Sequence, residues 1–155
     1  MAERVRVVVL AGLIALLAVG AASAATPTAY RAQVNGICRG YTPTAKKLGT
    51  AMKQAAAKKD YRAYGVALGE LLILDLTQDR RIEAVAVPPA LKTQMTPILA
   101  RLKKIDGHAR LALQRAQQGD AAAMGAELTT IATLAKPLNA QLDRAGLRDC
   151  GSNQT

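Results

Sequence analysis

The chain has 155 residues, half of them hydrophobic, 21% charged and 3% aromatic, with 21 basic against 11 acidic side chains. That length fits one domain, and the apolar share excludes a disordered or fibrous chain. One His, two Cys, no Trp and no Phe narrow the available site chemistry before any motif is considered.

Residues 1–6 read Met-Ala-Glu-Arg-Val-Arg, with a net positive charge, and an uncharged apolar run follows from Val7 to Ala22. Ala22-Ser23-Ala24 then places small residues where a signal peptidase inspects them. This is the layout of a secretory signal and predicts cleavage after Ala24, with Ala25 as the neighbouring option. An uncleaved anchor is the alternative, but a run of about 16 residues is short for a span of about 20. No Cys closes the apolar run, so a lipid anchor has no attachment point. The division is therefore a signal at 1–24 and a folded domain at 25–155, exported across the cytoplasmic membrane and either secreted or held at the cell envelope, with no transmembrane span after cleavage.

Beyond the signal the apolar spacing is helical. Tyr30, Val34, Ile37, Tyr41, Leu48, Ala51 and Ala55 form a first seam, with Thr44 its polar member. Thr42-Pro43 marks a kink or restart within it. Asp60 is placed to cap a second helix from Tyr61, in which Leu71-Leu72-Ile73-Leu74 is apolar all round and Asp75 interrupts the stripe. This helix is expected to be the most buried. Pro88-Pro89 ends it and opens a third, whose seam is Leu91, Met95, Ile98, Leu102, Ile105, Ala109, Ala112 and Ala116. Gly119-Asp120 separates this from a fourth seam: Ala121, Met124, Leu128, Ile131, Ala135, Leu138, Leu142 and Ala145. Gly146-Leu147 reads as a left-handed stop. The short connections predict an all-α, up-down-up-down antiparallel four-helix bundle.

The two Cys test this architecture. At a rise of about 1.5 Å per residue, Cys38 lies roughly 30 Å above the Lys59 turn. The fourth helix ends near Gly146 at about 33 Å. Helices one and four are neighbours in such a bundle, so the tail brings Cys150 to Cys38, and an exported chain meets oxidising conditions. A structural Cys38–Cys150 disulfide is expected.

Several landmarks together carry a resemblance: Val34-Asn35-Gly36-Ile37-Cys38, the Val87-Pro88-Pro89 corner, the Gly119-Asp120 corner and the closing Gly146-Leu147-Arg148-Asp149-Cys150-Gly151. In these the chain resembles small exported single-disulfide helical proteins of high-GC Gram-positive bacteria. The resemblance implies the bundle, the disulfide and export, and it carries over no catalytic or ligand residue.

The inventory restricts chemistry further. Ser23 leaves with the signal and Ser152 sits in a terminal tail, so a nucleophilic Ser lacks a setting. Paired Cys provide no nucleophile. Glu70, Glu83 and Glu127 are not followed three places on by His, which excludes the di-iron helix motif. No Cys-x-x-Cys-His attaches haem. Asp75 with Asp79 or Glu83 remains as a carboxylate pair, and with Arg80 and Arg81 between them a solvated charged face with local ion pairs is expected. His108 on helix three and Met52 on helix one fall at similar heights, about 10 and 9 Å above the Lys59 turn. A Met/His pair across a bundle can hold haem or copper, though a lone His is more often a partly exposed helix residue. No catalytic residue, cofactor or metal is expected, and the chain reads as a non-enzyme.

Basic residues run from Lys46 and Lys47 to Arg110 and Arg115 over three helices. With four Tyr as the whole aromatic complement, stacking on single strands lacks its platform, and no specific nucleic-acid partner is expected. The leading expectation is a non-catalytic exported protein that meets anionic envelope polymers, lipid headgroups or a helical protein partner through its basic surface. The alternative is a carrier of a small ligand, haem or metal in the bundle core near His108 and Met52.

Overall fold

The computed structural model describes residues 26–152. The predicted signal and its cleavage site lie outside them. Four α-helices form a bundle among the described residues: α1 (Pro27–Ala57), α2 (Tyr61–Glu83), α3 (Lys92–Gln117) and α4 (Ala121–Arg144). A short 3-10 turn at Pro89–Leu91 leads into α3. α1 packs along α2 and α3 along α4, while α2 and α3 meet more sparsely.

α1 begins where Thr26 accepts a hydrogen bond from the Ala29 N–H at 3.2 Å, with Pro27 in the first turn. It does not restart at Thr42-Pro43. The helix continues through Pro43, and the Thr42 hydroxyl donates to the Cys38 carbonyl at 3.0 Å. Pro97 and Pro137 likewise lie inside α3 and α4. Each interior Pro forfeits a backbone hydrogen bond. Packing holds α3 and α4 across theirs: Ile98 and Leu138, the next residues, are buried.

The α1–α2 and α3–α4 connections use one device. Lys59 and Gly119 stand in the left-handed region at φ 55° and 73°. The next residue, Asp60 or Asp120, donates its N–H back to the Ala55 or Arg115 carbonyl at 2.9 and 3.0 Å. The same Asp then opens the following helix, its carboxylate accepting from the Ala63 or Ala123 N–H at 3.0 and 2.9 Å. Only the first turn puts a side-chain-bearing residue at the left-handed position, which costs roughly 1–2 kcal/mol. Lys59→Gly is therefore expected to raise stability by about 0.5–1 kcal/mol, after allowing for the freer unfolded chain. An unchanged or lowered denaturant midpoint would refute this.

The core divides into two clusters. The first joins Tyr30, Val34 and Cys38 of α1 to Ile82 and Val85 at the end of α2, Leu91 through Leu102, and Leu138 through Cys150. The second is smaller: Leu68, Leu72, Leu76, Ala109 and Ala112, with Met52, Tyr64, Leu113, Met124, Leu128 and Ile131 packed against it and only partly buried. The predicted seams carry most of these residues. The third seam departs from expectation at two steps: Ile105 is half-buried while the neighbouring Asp106 is buried, and Ala116 is exposed. α2 carries the largest share of buried residues among the four helices, as expected, although Tyr61, Val66 and Ile73 are 79%, 58% and 57% exposed. Its Leu68-Leu72-Leu76 stripe points inward, and among the described residues no further helix covers the opposite side.

The disulfide forms between Cys38 and Cys150, with Cα atoms 5.1 Å apart. Gly146 turns the chain at φ 80°, and the buried Leu147 donates its N–H to the Leu142 carbonyl at 2.8 Å. The returning tail is fastened to α1. Arg31 Nε donates to the Ala145 carbonyl at 2.7 Å, Asn35 Nδ2 to the Gly146 carbonyl at 2.9 Å, and Arg39 pairs with Asp149 at 2.5 Å.

Candidate functional site

Two places in this fold concentrate chemistry. The first is inside. On α2 the inward stripe Leu72, Leu76 continues three residues on as Asp79, and on α3 Leu102 is followed four residues on by Asp106. Both Asp occupy core positions and are buried, at 7% and 4% exposure. Their side chains hydrogen-bond to each other, linking α2 to α3. Two carboxyls can do so only with a proton between them. Burial, then the hydrogen bond and charge of Asp106, with smaller contributions from Asp75 and Glu83, push the Asp79 carboxyl up to about 8. The cation nearest the pair is Arg110, whose Nη2 lies 3.4 Å from Asp106 Oδ2. Asp75, whose residue surface is exposed, has a carboxyl crowded by protein and is raised to about 6, first by desolvation and then by Asp106.

A cavity of about 160 Å³ opens beside Asp79, walled by Ile82, Leu102, Ile105, Ile131 and Leu138. Asp75 and Asn139 belong both to it and to an outer cleft of about 560 Å³ that also takes in Lys46, Thr50, Lys53 and Gly151. Chemically this interior stores a proton at neutral pH and presents amide and carboxyl oxygens to an otherwise apolar space.

These findings correct the expectation of a solvated carboxylate face. Asp79 points into the core. Neither Arg80 nor Arg81 forms an ion pair with these acids among the described residues; the Arg81 guanidinium lies 5.6 Å from the centre of the Tyr41 ring instead. Asp106 was not singled out by sequence at all. A signal was present, since Asp79 falls three residues after Leu76 and three before Ile82, on the stripe itself.

His108 and Met52 lie elsewhere. The His108 Nδ1 is 2.6 Å from Glu127 Oε2 on α4, and both side chains are partly buried. Met52 packs against the second core cluster. Among the described residues, no group of three or more His, Cys, Asp or Glu is placed to hold a metal ion.

The second place is outside, on α1 and α2. Lys46, Lys47, Lys53, Lys58, Lys59 and Arg62 are all exposed. Residues 46–70 carry these six cations against two carboxylates, Asp60 and Glu70. The ion pairs found among the described residues, Arg39–Asp149, His108–Glu127 and Arg110–Asp106, use none of the six. Between the two helices runs a groove of about 460 Å³, floored by Leu48, Ala51, Ala63, Val66 and Ala67 and edged by Lys47, Asp60, Arg62 and Glu70. No helix among the described residues is long and apolar enough to cross a membrane.

No protein-family model, curated protein or solved structure matches this chain.

Proposed function

We propose that the chain is an exported, non-catalytic protein that associates with anionic material of the cell envelope through its basic surface. The observation that carries this reading is the set of six exposed, unpaired cations on α1, α2 and the turn between them, of which Lys47 and Arg62 edge an apolar groove. Unpaired surface charge of one sign attracts a polyanion or an anionic headgroup layer and fades with salt. Export is supported by the signal-like residues 1–24 and by the disulfide, a bond that persists in oxidising compartments. The arrangement proposed is up-down-up-down and antiparallel. Its support is that early α1, late α2, early α3 and late α4 supply the first core cluster, while the complementary halves supply the second.

The test is sedimentation of the exported protein with anionic vesicles and with wall-polymer preparations across a salt series. Binding should fall steeply as salt rises. Binding that ignores salt, or no binding to either material, removes the reading.

A second reading, a small-ligand carrier, is favoured by the cavity beside Asp79 rather than by the His108 and Met52 region, where Glu127 already engages the imidazole. Native mass spectrometry of the exported protein distinguishes the two, since a carrier retains a co-purifying mass.

A further inference from the structure

We infer that the α1/α2 groove is the seat of this association, and that its partner is an anionic lipid surface which Val66 enters. The inference rests on the proposed envelope association and adds to it the face and the kind of partner. A sugar-phosphate polymer would satisfy Lys47 and Arg62 at the groove's edge but offers nothing to its apolar side. That side is substantial. Val66 and Ile73, one heptad apart on the same side of α2, are 58% and 57% exposed, and the groove floor is apolar. A lipid surface supplies both halves, with acyl chains below and phosphate oxygens above. Lys47 and Arg62, at its edge, can lay their stems along the groove and keep their charges at phosphate level. Of the two acids on this face, Asp60 is committed to the first turn of α2 through the Ala63 N–H.

The experiment uses the exported protein, vesicles of phosphatidylglycerol with phosphatidylcholine, vesicles of phosphatidylcholine alone, and a soluble anionic wall polymer. Three forms are compared: wild type, Lys47→Gln with Arg62→Gln, and Val66→Asn, a change at an exposed position that leaves both core clusters intact. Circular dichroism checks the fold, and sedimentation equilibrium checks the mass. The wild type should bind the anionic vesicles and not the neutral ones. The double charge variant should bind roughly 25-fold more weakly, about fivefold per charge. Val66→Asn should lose about tenfold while keeping the wild-type salt dependence. If Val66→Asn binds as the wild type does while the charge variant weakens, the groove is not the seat but the basic-surface reading stands. If the polymer is bound and the vesicles are not, the lipid partner is wrong and envelope association survives. If the wild type is a dimer that Val66→Asn converts to a monomer, the groove belongs to a second copy and the inference fails. If neither material is bound, the inference and the function it rests on fall together.

Discussion

Asp79→Asn is expected to stabilise the folded chain by about 2–4 kcal/mol at pH 8 and to change it little at pH 4. The sign follows from where the proton sits. The Asp79 carboxyl rises from 3.8 in the free side chain to about 8 in the fold, so the folded state holds a proton that the unfolded chain has released between those values. Stability that depends on this proton is complete below about pH 4 and is lost as pH rises towards 8. Asp75, raised to about 6, adds a smaller loss of the same sign within the same window. An amide at position 79 can donate to Asp106 at every pH, so it keeps the hydrogen bond without the titration. Urea midpoints at pH 4, 6 and 8 decide the matter. The wild-type midpoint should fall relative to the variant across that series. Parallel curves for the two proteins, or a variant less stable at pH 8, would show that the buried pair does not titrate in this way.

Removing the bridge, by Cys38→Ala with Cys150→Ala, should cost about 4–5 kcal/mol on the chain-entropy account, because the joined residues are 112 apart in sequence. Domains of this size retain about 5–15 kcal/mol in total, so this loss takes a large share. It falls where the packing is best: Cys38 and Val34 are fully buried and Cys150 nearly so, all within the first cluster. The second cluster, with few buried side chains and a half-buried α4, has little to offer in compensation. Thermal unfolding of the variant beside the oxidised wild type should show a drop well above 10 °C. A drop of only a few degrees would mean that the Arg31, Asn35 and Arg39 contacts hold the tail without the bond.

The parts of this fold that sequence disclosed are those governed by apolar spacing and turn chemistry. Leu91-Met95-Ile98-Leu102 fell inside as its heptad register requires, and Asp60, Pro88 and Gly119 marked the ends they mark by cap and φ preference. Cys38 and Cys150 could be paired by helix length alone. Three features were less legible. Thr42-Pro43 read as a kink or restart because the local cost of Pro is visible in sequence and the tertiary context that tolerates it is not. Ile73 read as buried because a run of four apolar residues does not tell how many neighbours a helix will have. The Asp79–Asp106 pair was hidden because a charged residue is assigned to the surface by default. Its cost is offset only by a proton and by a partner on another helix, and neither is written next to it in the chain.

The covalent path through the molecule has one more consequence. With Cys38 joined to Cys150, the polypeptide between them is a closed ring, and both the Lys58-Lys59 turn and the Gln118-Gly119 turn lie on it. A protease that cuts either exposed turn opens the ring but releases no fragment. The chain stays one molecule, its first core cluster intact, until a second cut or a reductant arrives. The bridge is thus a device of endurance as well as of folding.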